Sequence, residues 1–225
     1  EEPIFVCANP GESLPPTLKH AYMVCNSKNK KLATLRRLVQ KISKGTSQSQ
    51  ITKILVFCET NRPMEEMAMA IAHDNGGKFF QEGKRDTLIV DEHSKSVVSV
   101  LRLEDSLSQR AAATRAFSET TSANESGDAS SNTSNGDDGM AGPMFRLMFT
   151  TDLAARGLDI AGITHVIHFD LPRDADAYLH RSGRAGRLGR QGQVISILTP
   201  DQEFVLERLT NSLSLSVACI ARQKK

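Results

Sequence analysis

The sequence predicts an α/β fold: a parallel central sheet with helices on both faces. The first observation is Lys53-Ile-Leu-Val-Phe-Cys58, an apolar, β-branched run without polar alternation, as a strand covered on both faces must be. The second is that runs of this kind recur at Val97–Leu101, Phe145–Thr150, His165–Phe169 and Gln193–Leu198. The third is that stretches with helical apolar spacing lie between them, and strand–helix alternation joins successive strands in parallel.

In chain order, Leu32–Ile42 is an amphipathic helix with basic residues on its outer face. After the strand at Lys53–Cys58, Thr60-Asn61 offers a helix cap, and Met64, Met67, Ala68, Ile71 and Ala72 repeat at helical spacing. Leu88-Ile-Val-Asp-Glu92 has the look of a strand ending in an acidic pair. No G-x-x-x-x-G-K-[ST] loop exists for such a pair to serve, so an exposed hairpin or extra edge strand is expected there, and no metal site. Helices are expected at about 108–117, 175–181 and 201–210. The domain is expected to span 18–218, after an extended segment 1–17 and before a basic tail 219–225.

The chain has 225 residues, 39% hydrophobic and 24% charged, an ordinary composition with enough length for a well-buried core. No apolar run approaches the roughly 18 residues of a membrane span, so no membrane contact is expected. Cys7, Cys25, Cys58 and Cys219 lie far apart, without zinc-ligand spacing, which points to a reducing intracellular compartment. Cytoplasm, nucleus and organelle all fit. A start at Glu1 without Met reads as an excised fragment, expected to be monomeric by itself.

The net charge of +2 conceals an asymmetry. Residues 118–143 hold five acids, no Lys or Arg, and sixteen Ser, Thr, Asn or Gly among 26 positions. That composition predicts a disordered insertion. The remainder carries +7, which suits an anionic partner.

Two strings carry the chemistry. His180-Arg-Ser-Gly-Arg-Ala-Gly-Arg187 spaces Arg181, Arg184 and Arg187 three apart, so on one turn they would project in similar directions. Arginines crowded this way call for an anion among them, and bidentate grip on phosphate is what Arg does better than Lys. Gly183 and Gly186 remove side chains where backbone must come close to something. Thr151-Asp-Leu-Ala-Ala-Arg-Gly-Leu-Asp-Ile160 follows an apolar strand, which delivers it to the carboxyl edge of the sheet, where ligands of open parallel sheets bind. Asp159 is an acceptor suited to a ribose hydroxyl, and Asp152 is suited either to this ligand edge or to capping a helix start.

Together these strings resemble motifs V and VI of the C-terminal domain of superfamily 2 helicases, most closely the DEAD-box RNA helicases. Ile54-Leu-Val-Phe-Cys-Glu-Thr60 is similar to motif IV, and Arg110, seven residues before Phe117, falls where the family has the arginine of Q-x-x-R. Leu107 stands in place of that motif's Gln, and Arg102-Leu103 in place of the usual His-Gly.

The resemblance implies a RecA-like domain that closes with an N-terminal RecA-like domain around ATP and single-stranded RNA. It implies catalytic roles for Arg184 and Arg187 as arginine fingers and for His180 as a link across the interface. Nucleotide contacts fall to Asp159, Gly157, Arg184 and Arg187. Glu59, Thr60, Arg62, Arg110 and Thr151 are implied to hold the RNA backbone without reading sequence. Mg²⁺ is implied to belong to the N-terminal domain. The chain alone, lacking the phosphate-binding loop and the DEAD motif, is expected to be inactive. Two alternatives stay open: a non-catalytic RNA-binding or adaptor module, and a superfamily 2 domain acting on DNA.

Overall fold

The computed structural model describes residues 14–45, 51–74, 88–90, 96–118, 145–158 and 160–223. Eight strands form one sheet: β1 (Leu18–Val24), β2 (Thr52–Phe57), β3 (Leu88–Val90), β4 (Val97–Leu101), β5 (Phe145–Thr150), β6 (His165–His168), β7 (Gly192–Leu198) and β8 (Ala218–Arg222). Their spatial order is β3-β4-β5-β2-β6-β7-β1-β8. Every pairing is parallel except β3 with β4, which is antiparallel at the edge. The expected extra edge strand is therefore present as Leu88–Val90, while Asp91 and Glu92 lie outside the described residues.

β2 is central, with all six of its residues buried, strands on both sides and helices above and below. Its alternation sorts the core into two layers. Ile54 and Val56 face α1 (Lys31–Gly45) and α2 (Met64–Asp74), meeting Leu35, Leu38, Val39, Met67 and Ile71. Leu55 and Phe57 face the other way, toward α3 (Leu107–Ser118), α4 (Ala175–Ser182) and α5 (Glu203–Ser212), where Phe117, Tyr178 and Leu206 pack. Helices cover both faces of the sheet, as the sequence requires.

Three elements differ from expectation. α2 begins at Met64, directly after Pro63, rather than at Thr60-Asn61; a proline suits the first position of a helix, and residues 59–62 form a turn instead. β1 was hidden by its own composition, since Lys19, His20 and Tyr22 break the apolar run of a strand only partly covered. Residues 218–222 are not a free basic tail but strand β8, fully exposed and held on β1 by the sheet ladder. Arg222 in it pairs with Glu203 of α5 at 2.6 and 2.8 Å.

Cations secure the far end of α3. Arg146 NH1 donates to Ala116 O at 2.6 Å and Lys53 Nζ to Ser118 O at 2.7 Å, so two strand residues satisfy carbonyls that the last helical turn leaves open. Both lie on strands facing the same helix end, and burial holds the Lys53 ammonium below its ordinary range. The insertion expected at 118–143 starts from this point, and 119–143 lies outside the described residues.

β6 carries two histidines as neutral rings, His168 buried and His165 half-buried. Burial pulls the pKa of His165 down to about 4, and that of His168 well below its usual value. Unfolding restores both to about 6.5 and takes up protons below that pH. Stability should therefore be complete above about pH 6.5 and fall as pH drops toward 4, with His165 contributing about 3 kcal/mol of the loss. Thermal unfolding across this range should show the decline, and His165→Gln should flatten part of it.

Candidate functional site at the carboxyl edge of the sheet

Strands β2, β5 and β6 end side by side, and the segments that follow them enclose a cleft of about 830 Å³. Cys58, Glu59 and Thr60 line it after β2; Thr151–Gly157, apart from buried Ala154, line it after β5. Leu171, Arg173 and Asp174 lead from β6 into α4, which contributes Asp176, Ala177, His180 and Arg181 before Arg184 completes the wall.

α4 owes its place to a cap and a fork. Asp174 Oδ1 accepts the Ala177 N–H at 2.7 Å and so starts the helix. Arg181, 4% exposed, donates from Nε and NH2 to Asp152 at 2.6 and 2.7 Å and from NH1 to Asp170 O at 2.7 Å, its plane 5.0 Å from the Phe57 ring centre. One guanidinium thus ties the segment after β5, the end of β6 and α4 together. Asp152 is accordingly an ion-pair partner; the turn after β5 is capped instead by Thr151, whose Oγ1 accepts from Ala154 N at 3.2 Å.

On the buried face of α4, Tyr178 packs against the sheet. Its hydroxyl meets His20 Nδ1 at 2.9 Å, and its ring stands edge-on to His168, whose Nδ1 meets Ser196 Oγ at 3.1 Å. Burial lowers the pKa of both His20 and His168 and raises that of Tyr178, so this support is uncharged near neutral pH.

The three motif arginines do not share a direction. Arg181 turns inward as described. Arg184 is half-buried on the cleft wall, with NH1 on Leu158 O at 2.8 Å. Arg187 is exposed beyond the cleft lining, its Nε on Gly183 O at 3.0 Å. Three-residue spacing gives no shared direction because α4 stops at Ser182: Gly186 adopts φ 71° and a short 3₁₀ turn over Arg187–Gly189 redirects the chain.

Of the other expected residues, Glu59, Thr60, Thr151, Gly157 and His180 line the cleft, with Glu59, Thr60, Gly157 and His180 exposed there. Asp159 lies outside the described residues. Arg62 and Arg110 do not line it. Arg62 grips Asp170 through Nε and NH2 at 2.9 and 2.7 Å. Arg110 spans two backbone carbonyls, Arg102 O at 2.7 Å and Ala154 O at 3.0 Å, joining the start of α3 to the turn after β5. At the two departures, Arg102 pairs with Glu65 while Leu103 and Leu107 are exposed, the latter 88%. Among the described residues, no three His, Cys, Asp or Glu gather as a metal site.

Sequence reasoning missed Asp170 and Lys31. Asp170 is an acid set directly after an apolar strand, at the ligand edge, and that position was the available signal. Lys31 gave none, since a lysine opening an amphipathic helix looks like surface.

Residues 30–189 match the family described as helicase conserved C-terminal domain. The chain belongs to this family. Over 189 residues it is 31% identical to the DEAD-box ATP-dependent RNA helicase CshC of Bacillus cereus, covering 82% of the chain and 42% of that protein. A 63-residue stretch is 50% identical to the ATP-dependent RNA helicase CshA of Limosilactobacillus reuteri, covering 28% of the chain and 13% of the relative. The chain thus spans less than half the length of these relatives. Its fold is that of S. cerevisiae Dbp5 bound to RNA and ADP BeF3, with a TM-score of 0.62 at 20% identity over 92% of the chain and 42% of the other. It is likewise similar to the C-terminal domain of Dbp5, TM-score 0.60 at 20% identity, over 91% of each chain. The fold is therefore RecA-like, and the resemblance to DEAD-box C-terminal domains stands.

The loop carrying Arg184 and Arg187 docks on β1 with no room to spare. A Cβ on Gly192 would lie 2.7 Å from Leu18 Cδ2 and 2.8 Å from the Gly186 backbone N, whereas one on Gly189 would meet open space. Gly192→Ala should cost about 1–3 kcal/mol of stability in denaturant unfolding, as overpacking does. Gly189→Ala, burdened only by its φ of 73°, should cost about 1 kcal/mol.

Proposed function

We propose that this domain is the second of two halves of an ATP-dependent RNA helicase, supplying arginine fingers for hydrolysis and half of a surface for the single-stranded RNA backbone. The observation that carries the reading is Arg184: a half-buried guanidinium, anchored on Leu158 O, on the wall of an open cleft in a chain that contains no phosphate-binding loop. A cation so placed suits a nucleotide presented by another domain. The names of the relatives, all RNA helicases acting with ATP, agree with it.

The residues present fit the anionic end of ATP. Gly157 has no side chain to obstruct it, Arg184 stands on the cleft wall, and Arg187 is exposed on the same loop. Asp159 is assigned to the ribose. ATP supplies the bond whose cleavage drives the cycle, and Mg²⁺ is assigned to the N-terminal domain. The fingers neutralise negative charge that grows on the transferred phosphoryl group, which is worth about 10³–10⁵ in rate. His180, exposed on the cleft wall, is assigned to the interface between the two domains.

RNA is assigned to the edge formed by Glu59, Thr60 and Thr151, with Arg62 and Arg110 behind it. The internal commitments of these two arginines limit them: Arg110 acts by holding the Arg102 and Ala154 segments together, and Arg62 offers only the part of its guanidinium that Asp170 leaves open. Contacts of this type follow the phosphates, and discrimination against DNA falls to 2′-hydroxyls.

In the full-length protein, Arg184→Ala or Arg187→Ala should lower RNA-stimulated ATP turnover by about 10³-fold or more while leaving single-stranded RNA binding within a few-fold. Unchanged turnover would overturn the finger assignment and favour the adaptor reading. Tighter binding of DNA than of RNA of equal sequence would favour the DNA reading. The isolated domain should hydrolyse almost no ATP and bind RNA weakly, more weakly still as salt rises.

A further inference from the structure

Asp170 stands two residues after β6 and is only 3% exposed. Its carboxylate gathers three groups. Arg62 donates from NH2 to Oδ1 at 2.7 Å and from Nε to Oδ2 at 2.9 Å. The backbone N–H of Glu59 donates to Oδ2 at 3.1 Å, and Lys31 Nζ stands 4.0 Å from Oδ1. Phe169 underlies both cations, its ring centre 5.8 Å from Lys31 Nζ and 5.6 Å from the Arg62 guanidinium. A buried ion cluster is weak evidence for stability, because desolvation offsets the attraction. What such a cluster does well is fix geometry.

The geometry it fixes is divided between two parts of one residue. The side chain of Asp170 holds the turn after β2, from Glu59 to Arg62, which bears the proposed RNA contacts. The main-chain carbonyl of Asp170 holds something else: it accepts from Arg181 NH1 at 2.7 Å, and Arg181 sits on the helix that presents His180 and leads into Arg184. One residue therefore serves the RNA edge through its carboxylate and the nucleotide wall through its backbone. Arg62, with Nε and NH2 occupied, has one edge of its guanidinium turned away from Asp170 on a side chain one-third exposed. Holding by Asp170 keeps the Arg62 guanidinium charged, raising its pKa above the ordinary arginine range.

We propose that Asp170 is a positioning residue for the RNA edge: its carboxylate presets the Glu59–Arg62 turn and aims the open edge of Arg62 at an RNA phosphate, while the nucleotide wall depends on its carbonyl alone. This rests on the helicase reading given above. An arginine already fixed in a fork loses little further freedom when a phosphate arrives, which is how preorganisation raises affinity without adding a contact.

Asp170→Asn keeps the shape and the carbonyl and removes the charge. In the full-length protein, the concentration of a single-stranded oligouridylate giving half-maximal ATPase stimulation should rise about five- to tenfold, while KM for ATP moves less than about twofold. Arg62→Lys keeps the positive charge but cannot fork onto both carboxylate oxygens, so it should produce the same split. Unchanged half-saturation in both variants, or KM for ATP rising in step with it, overturns the proposal. If Asp170→Asn does not fold, as thermal unfolding will reveal, Asp170→Glu decides in its place, keeping the charge but shifting the carboxylate out of register with Arg62 and the Glu59 N–H: a raised half-saturation with KM for ATP unmoved supports the proposal and an unchanged one overturns it. Wild-type protein that RNA fails to stimulate overturns the helicase reading itself, a result obtained before either variant is examined.

Discussion

The guanidinium of Arg181 is the constraint on which the arrangement of the cleft depends. A parallel sheet delivers the ends of β2, β5 and β6 to one edge, but nothing in the ladder decides how the segments beyond those ends lie relative to one another. Arg181 decides it for the segments after β5 and β6, with two bonds to Asp152, one to the carbonyl of Asp170 and its own attachment to α4, while the Asp170 carboxylate holds the turn after β2. A planar fork suits this task because its donors leave at fixed angles, so three chain segments meet in a single geometry. The exposed chemistry of the site is mounted on that buried junction.

Arginine in this domain consequently divides its work. Arg181, Arg110 and Arg146 spend bonds on backbone carbonyls, and each joins elements distant in sequence. Arg184 and Arg187 also bond to backbone, but from the cleft wall and the exposed surface respectively. A count of basic residues cannot separate the two uses. Burial separates only the extremes, since Arg181 and Arg146 are buried and Arg187 is exposed; Arg110 and Arg184 are both half-buried and differ in that Arg184 lines the cleft.

The central sheet was legible in the sequence because coverage on both faces demands largely apolar runs, and β2, β4, β5, β6 and β7 all carry them. β1 and β8 were not, since partial exposure near the sheet's margin relaxes that demand and lets Lys19, His20 and Tyr22 into one strand and leaves the other wholly exposed. The cleft was legible as a place, through two strings that follow from strand ends, but not as a set of contacts. Three-residue spacing suggests a shared direction only while a helix continues, and Gly183 and Gly186 end that condition between Arg181 and Arg187. Nor could spacing show that Arg62 faces Asp170, a residue 108 positions away. Long-range ion pairing is a product of topology and has no local signature.

The pair of cations at the end of α3 bears on how the domain tolerates change. Lys53 and Arg146 reach from β2 and β5 to grasp Ser118 and Ala116, so the helix is terminated by the sheet itself and not by whatever follows it. The register of β5 is set independently, by its ladders with β2 and β4. The end of α3 and the start of β5 are thus each tied to the sheet by bonds of their own, and neither relies on the other for its place.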